Sequence, residues 1–370
     1  MTNRFVMKLF TTLMPIMTWL VSFFIPGRKA GVAATEARNK GTIMTLVQNL
    51  ESYMDPEGKT PLQAIVEKCY AKGSFPALWA VEGVGKDLAE WNMARSQNPT
   101  RILIDAQLDP KWDGAWLMLH AGLGLGFSKY HLERLKKPVT DADLRQAITR
   151  VVDLCRQNSR PGYWGAAIES LGLACRFMFD AGFCKRVHAI LSEYAPDAVG
   201  FFWRGVGRML YFHPINFMPG FLRPCRAIHL AEVECPSPEL KETLMAGIAW
   251  PMTIVNMTNP EVMEWILENH DDYFSGSKGF FNGVVSSVVM RYDTTSDDPL
   301  IPAFMNHKPN PKNRTLCGLW NSKIKGSLET AIYSIYPVLK KHQRLDEVFH
   351  YQSLPALAAK LEREGKGAAA

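Results

Sequence analysis

The sequence predicts an all-α fold built as an array of αα-hairpin repeats, either solenoid-like or closed into a bundle, with an apolar N-terminal helix. One small-residue motif recurs along the chain, and stretches with amphipathic helical periodicity lie between its copies. Of the 370 residues, 47% are hydrophobic and 21% are charged. That composition supplies enough apolar material for a sizeable core.

The N-terminal segment is apolar. Residues 9–25 carry no charge, and two basic residues lie on either side of the run. A membrane-spanning helix needs about 20 apolar residues, so this run is at the short end. Four interpretations of this run remain open: a membrane-spanning helix, an interfacial helix, a signal peptide with residues 32–34 as its cleavage site, and a helix packed on the domain. We expect residues 5–25 to bring the protein to a membrane, with export after cleavage and a cytoplasmic location as the alternatives.

A small residue recurs at one place in successive helical segments. The first copy is residues 78–89 (LWAVEGVGKDLA), centred on Gly83. Glycine costs a helix interior about 1 kcal/mol relative to alanine, so its recurrence predicts close helix packing that offsets this cost. The spacing of roughly 35 to 50 residues is in the range of helical solenoids. The matching positions are Gly83, Gly122, Ser170, Gly205, Gly247 and Gly283.

The stretches between these copies have the pattern of amphipathic helices. Residues 140–154 (TDADLRQAITRVVDL) begin with Thr140, a good N-cap residue. Residues 183–194 and 260–270 show the same periodicity. Each unit is therefore predicted to be a buried glycine-containing helix followed by an amphipathic partner.

The domain organisation follows from these patterns and from two proline-rich interruptions, one of them at residues 213–224. The predicted parts are an N-terminal anchor or signal segment with a linker at 1–40, a helical repeat domain at 41–293, a proline-rich polar loop at 294–318, C-terminal helices at 319–362 and a disordered tail at 363–370.

Composition argues against several functional classes. The net charge is +6, and the basic residues are scattered rather than striped, so no nucleic-acid partner is predicted. The seven cysteines form no C-x-x-C pair and are expected to be buried free thiols. No metal site and no cofactor are predicted.

Charged residues inside the repeat helices are the candidate site. Glu82, Glu169 and Arg204 each precede the small residue of a copy, and Arg208 lies one turn after Arg204. Their neighbours are apolar, so these groups should be partly buried and paired. Stacked repeats present equivalent positions on one side, which predicts a common concave surface. The sequence leaves open a structural ion-pair network and a ligand site, with Glu82 or Glu169 as acid/base and Arg204 and Arg208 as ligand-binding residues.

Two segments carry a family resemblance. Residues 79–85 (WAVEGVG) and 202–212 (FWRGVGRMLYF) resemble motifs of the UnbL-type proteins associated with enediyne biosynthesis. The resemblance covers about residues 41–290. It implies an accessory role in the biosynthesis of a polyketide-derived natural product and carries no established activity with it.

These observations together predict a membrane-associated helical-repeat accessory protein in a polyketide-type pathway, binding a partner protein or an apolar intermediate. The alternative is an enzyme that acts on an apolar substrate in a helical groove, with Glu82 or Glu169 as its acid/base.

Overall fold

The computed structural model describes residues 28–48, 60–213, 226–269, 274 and 276–367. Over these ranges the chain is helical and contains no strand, which confirms the all-α prediction. The helices are α1 (Arg28–Gln48), α2 (Leu62–Tyr70), α3 (Ser74–Arg95), α4 (Trp116–Leu132), α5 (Asp141–Asn158), α6 (Trp164–Met178), α7 (Ala181–Tyr194), α8 (Val199–Phe212), α9 (Arg226–Glu234), α10 (Lys241–Val255), α11 (Pro260–Asn269), α12 (Lys278–Thr294), α13 (Leu300–Met305), α14 (Arg314–Leu319), α15 (Gly326–Thr330), α16 (Tyr336–Lys341) and α17 (Leu354–Gly367).

Six glycine-containing helices form the centre of the molecule and pack on one another in chain order: α3, α4, α6, α8, α10 and α12. At each contact a glycine lies directly against the backbone of the neighbouring helix, where a methyl group would overlap a carbonyl oxygen. Gly85 lies against Leu119, for example, and Gly205 against Glu169. Close backbone approach therefore explains why these helices keep glycine despite its low helix propensity.

Neighbouring central helices run in the same direction. In the pair α10 and α12, Gly279 lies against Glu242, and Gly283, one turn further along α12, lies against Ala246, one turn further along α10. Because the contacts advance together along both helices, equivalent positions of successive helices lie side by side. This arrangement brings together the charged residues that precede each small residue.

From α4 onward, amphipathic segments form the helices that connect the central ones, whereas α3 and α4 are joined by a segment whose only element is the 3-10 helix Pro110–Ala115. Helix α5 begins where the sequence predicts, since the Thr140 hydroxyl accepts a hydrogen bond from the Asp143 N–H at 3.1 Å. Helix α7 starts in the same way, with the Asp180 carboxylate capping the Phe183 N–H at 2.9 Å. The polar caps fix the starts of these helices, and their buried apolar faces pack on the central helices.

The last central helix returns to the first. The end of α12 touches the start of α3, where the Arg291 guanidinium lies 5.0 Å from the Phe75 ring centre. The Tyr70 hydroxyl on α2 donates to the Thr294 carbonyl at 2.9 Å. Helices far apart in sequence therefore share one interior.

Helix α1 belongs to this body. Its residues Val32, Glu36, Lys40 and Ile43 are buried, and it contacts α3, α10 and α11. The predicted boundary at residue 40 falls inside this helix, and the candidate cleavage sequence at 32–34 is part of it. The apolar run 9–25, with the predicted N-terminal helix, lies outside the described residues. Among the helices that are described, none combines the length and hydropathy needed to cross a bilayer.

The C-terminal part is more helical than the sequence predicts. The proline-rich segment 294–318 is not a continuous loop, because it contains α13 and the start of α14. Helices α14, α15 and α16 are joined by π-helical segments, Trp320–Lys325 and Ala331–Ile335. Helix α17 continues to Gly367, past the predicted end at 362. Its buried residues Leu354, Ala358 and Leu361 lie at helical spacing.

Candidate functional site

The four predicted charged residues lie together in the interior of the molecule. Glu82 comes from α3, Glu169 from α6, and Arg204 and Arg208 from α8. Their exposed fractions are 5%, 0%, 0% and 4%. We call these four residues the central cluster. The predicted convergence is observed, but the expected location on a concave surface is wrong: the central helices close around the charges and exclude solvent from them.

Arg208 joins the two carboxylates. Its Nη2 donates to Glu82 Oε1 at 2.8 Å, and its Nη1 donates to Glu169 Oε2 at 3.2 Å. The guanidinium also lies 4.7 Å from the ring centre of Trp250 on α10. One arginine therefore holds α3, α6 and α8 together through charge-assisted hydrogen bonds.

Arg204 is held differently. Its Nη2 donates to the Ser286 hydroxyl on α12 at 2.6 Å, and its guanidinium lies 5.1 Å from the Phe349 ring centre. It forms no ion pair within 4 Å with a described carboxylate. A buried guanidinium has five N–H donors, so a single neutral acceptor leaves most of its hydrogen-bonding capacity unused.

Four polar atoms of the central cluster have no hydrogen-bond partner among the described residues. They are Glu169 Oε1, Arg204 Nε, Arg204 Nη1 and Arg208 Nε. Unpartnered buried polar atoms cost about 1–3 kcal/mol each and more when charged, so natural proteins rarely leave several together. A set containing three donors and one acceptor, lined by Trp250 and Phe349, has the composition of a polar recognition element in an apolar wall.

Burial also shifts the titration of the cluster. It raises the pKa of Glu169, and the attraction of Arg208 and Arg204 offsets this only in part. It lowers the pKa of Arg204 to about 10. For Arg208 burial acts in the same direction, but the two carboxylates outweigh it and the pKa is raised. The opposite charges around Arg208 thus outweigh the cost of burying its charge, whereas those around Glu169 and Arg204 do not.

Two contacts of the site were not predicted. Ser286 lies three residues after Gly283, in one of the two weaker copies of the small-residue motif, just as Arg208 lies three residues after Gly205. The repeat therefore indicates that Ser286 lies on the inner face. Phe349 lies in the 3-10 helix Leu345–Phe349, which has no counterpart in the repeats. No sequence pattern indicates that this segment reaches Arg204.

A metal centre has no candidate ligand set here. Within the described ranges no three His, Cys, Asp or Glu side chains are grouped to hold a metal ion. The central cluster offers two carboxylates, and Arg208 already occupies the position between them. Chemically, the cluster can donate hydrogen bonds to an oxygen atom through Arg204 and exchange a proton at Glu169.

No family model matches the chain, and neither a curated protein nor a solved structure shows significant similarity to it. The fold and the central cluster therefore have to be interpreted from their own geometry. The resemblance to UnbL-type proteins stays a prediction from the two sequence motifs.

Proposed function

We propose that the chain is a helical-repeat accessory protein that binds an apolar small molecule, with a polar group of that molecule held between Arg204 and Glu169. A single observation supports this: the four unpartnered polar atoms of the central cluster occur in an interior lined by aromatic rings. Such an environment suits a mainly apolar ligand with one oxygen-bearing end. A partner protein is the weaker alternative, because these atoms are buried rather than on a surface.

The proposed architecture is a closed array of αα-hairpin repeats rather than an open solenoid. Its support is the contact between the two ends of the array, the Arg291 guanidinium over Phe75, and the hydrogen bond from Arg204 to Ser286, which spans 82 residues. A closed array surrounds its interior, as the proposed binding role requires.

The setting that we propose is a polyketide-type biosynthetic pathway, with the protein at a membrane. The pathway rests on the resemblance at residues 79–85 and 202–212. The membrane location rests on the uncharged run 9–25 with its flanking cations. An apolar intermediate partitions from water into the lipid bilayer, so a membrane-bound protein would meet it there. Deletion of residues 1–27 should release the protein from the membrane fraction, and finding the full-length chain in the soluble fraction would contradict this location.

The test of binding is native mass spectrometry of the full-length protein purified from cells that produce it naturally. We expect the wild type to carry a bound apolar compound and Arg204→Gln to lose it. Arg291→Gln is the matched control, because Arg291 is also a fully buried arginine whose Nε and Nη1 have no hydrogen-bond partner among the described residues, but it is paired with Asp298 and lies outside the central cluster. Wild-type protein without a bound compound, or equal loss in both variants, would contradict the proposal.

An enzymatic role for the same site is favoured by Glu169. It has a free carboxylate oxygen and a raised pKa, and so could deliver a proton to a bound molecule. Glu82 is the weaker candidate, because its Oε1 is bonded to Arg208. If the protein is an enzyme, Glu169→Gln should keep the compound bound but unconverted over time. A rate of conversion equal to that of the wild type would exclude Glu169 as the acid/base.

A further inference from the structure

A second candidate site is a surface pocket of about 560 Å³ beside the last turns of α3 and α4. Helix α5 forms its other wall. Pockets that bind small organic molecules have volumes of about 300–1,000 Å³, so the size is suitable. The pocket shares no residue with the central cluster.

Three cations line this pocket, and they lack anionic partners. Arg134 and Lys136 lie just after α4, and Arg150 lies on α5. The Arg134 Nη1 donates to the Tyr130 carbonyl at 2.7 Å. The Arg150 Nη2 donates to the Gln97 carbonyl at 2.7 Å and to the Asn98 side-chain oxygen at 2.6 Å. All three acceptors are neutral, and none of the three cations forms an ion pair with a carboxylate in the part of the chain that the structure describes.

Other arginines close to these three cations do form ion pairs with carboxylates. On the same helix as Arg150, Arg145 pairs with Glu193 at 2.6 Å and Arg156 pairs with Asp197 at 2.8 Å. Arginines that point away from the pocket thus have carboxylate partners, whereas those that line it do not.

The two carboxylates of the pocket wall already accept hydrogen bonds from other groups. Asp143 accepts a hydrogen bond from the Thr140 hydroxyl at 2.8 Å. Asp153 accepts one from the Tyr194 hydroxyl at 2.8 Å. They reduce the positive potential of the pocket without pairing with its cations, so an entering anion meets three positive groups whose charge is not neutralised by a carboxylate.

The remaining wall is partly apolar. Met93, Tyr130, Leu135 and Ala147 contribute to it. A bare inorganic ion would leave this area and most of the volume uncovered. An organic ligand with an anionic head would cover both.

We propose that this pocket binds a small organic phosphate, with the phosphate group among Arg134, Lys136 and Arg150 and the organic part against the apolar wall. A phosphate monoester carries a charge of about −1.5 to −2 at pH 7 and three acceptor oxygens, which suits three cations better than a carboxylate does. Arginine also matches phosphate geometry through paired N–H donors.

The test uses phenyl phosphate as the probe in titration calorimetry with the full-length protein, alongside inorganic phosphate and benzoate. We expect saturable one-to-one binding of phenyl phosphate, weaker binding of the other two compounds, and an affinity that falls as salt screens the charges. Inorganic phosphate binding as tightly as phenyl phosphate would show that the apolar wall is not used. Benzoate binding as tightly would show that the site is not specific for phosphate.

The variants separate the pocket from the general charge of the surface. Lys136→Gln should weaken phenyl phosphate binding by up to about fivefold, the upper end of the contribution of one exposed charge contact. Lys137→Gln is the matched control, since it removes the same charge from the next residue, which does not line the pocket. Equal weakening in both variants, or no saturable binding by the wild type, would overturn the proposal. Either result would leave the proposed role of the central cluster untouched.

Discussion

The central cluster and a second buried polar network of this chain differ in how completely their atoms are partnered. The second, which we call the α1 network, consists of Glu36, Lys40, Tyr211 and Asn256. The Tyr211 hydroxyl donates to Glu36 at 2.8 Å and accepts from Asn256 at 3.0 Å. Lys40 lies 3.2 Å from Glu36 and 4.1 Å from the Tyr211 ring centre.

In the α1 network, none of the described buried side-chain polar atoms lacks a partner, whereas the central cluster has four that do. Both networks are enclosed, so burial alone does not account for the difference. A network that only joins helices gains most when every donor and acceptor is satisfied, as in the α1 network. The ligand that we propose would supply partners for these atoms of the central cluster. Arg291, which also has two unpartnered nitrogens, is the comparison that separates this role from burial of an arginine alone.

The largest effect should follow the loss of Arg208. Arg208→Met leaves Glu82 and Glu169 buried without their shared cation, and breaking a buried pair costs about 3–5 kcal/mol. Lys40→Met is the control from the α1 network. It should cost less, because Glu36 keeps the hydrogen bond from Tyr211. Urea unfolding followed by circular dichroism gives both free energies, and an equal or larger loss for Lys40→Met would refute the contrast.

Glycine substitutions test the packing that positions the two networks. A methyl group at Gly205 would overlap the Glu169 carbonyl oxygen, whereas nothing lies within 4 Å of one at Gly31 on α1. Gly205→Ala should therefore destabilise the protein by about 1–3 kcal/mol, in the range of overpacked cores. Gly31→Ala should be neutral or stabilise it by up to about 1 kcal/mol. Equal melting temperatures for the two variants would show that α8 does not approach α6 as described.

Removing one hydroxyl tests the α1 network by itself. Tyr211→Phe takes the donor from Glu36 and the acceptor from Asn256, which should cost about 1–2 kcal/mol. Because the network is only structural in this account, the variant should keep the bound compound that native mass spectrometry detects in the wild type. Loss of the compound from a folded Tyr211→Phe protein would give the α1 network a binding role as well.

The smallest expected effect is a change in pH dependence. Burial raises the pKa of Glu169 above its ordinary value of 4.5, so folding favours the protonated carboxyl. This contribution to stability is complete below pH 4.5 and is lost as pH rises through the folded pKa. The glutamine of Glu169→Gln stays neutral at every pH. The free energy of unfolding of this variant should therefore fall less steeply with rising pH than that of the wild type, by at most about 1.4 kcal/mol per pH unit. Identical unfolding profiles for the wild type and the variant between pH 4 and 8 would show that this pKa is not raised.

The sequence predicts the helical class and most of the central cluster because both depend on local regularity. Glu82, Glu169 and Arg204 precede matching small residues, and helices that pack at matching residues bring such positions together. Phe349 could not be predicted, because its contact with Arg204 joins segments about 145 residues apart without a shared pattern. The burial of the charges could not be predicted for a related reason: periodicity identifies the inner face of each helix but not how completely the neighbouring helices cover that face.

Ligand binding at the central cluster is tested most directly by an experimental structure of the protein purified from cells that produce it naturally, at a resolution that separates waters from organic atoms. We predict a non-protein oxygen within hydrogen-bonding distance of Arg204 and of Glu169 Oε1, continuous with density for an apolar molecule near Trp250 and Phe349. Ordered water alone at these atoms, in protein that still supports its cellular role, would show that the central cluster is a structural ion-pair network and not a binding site.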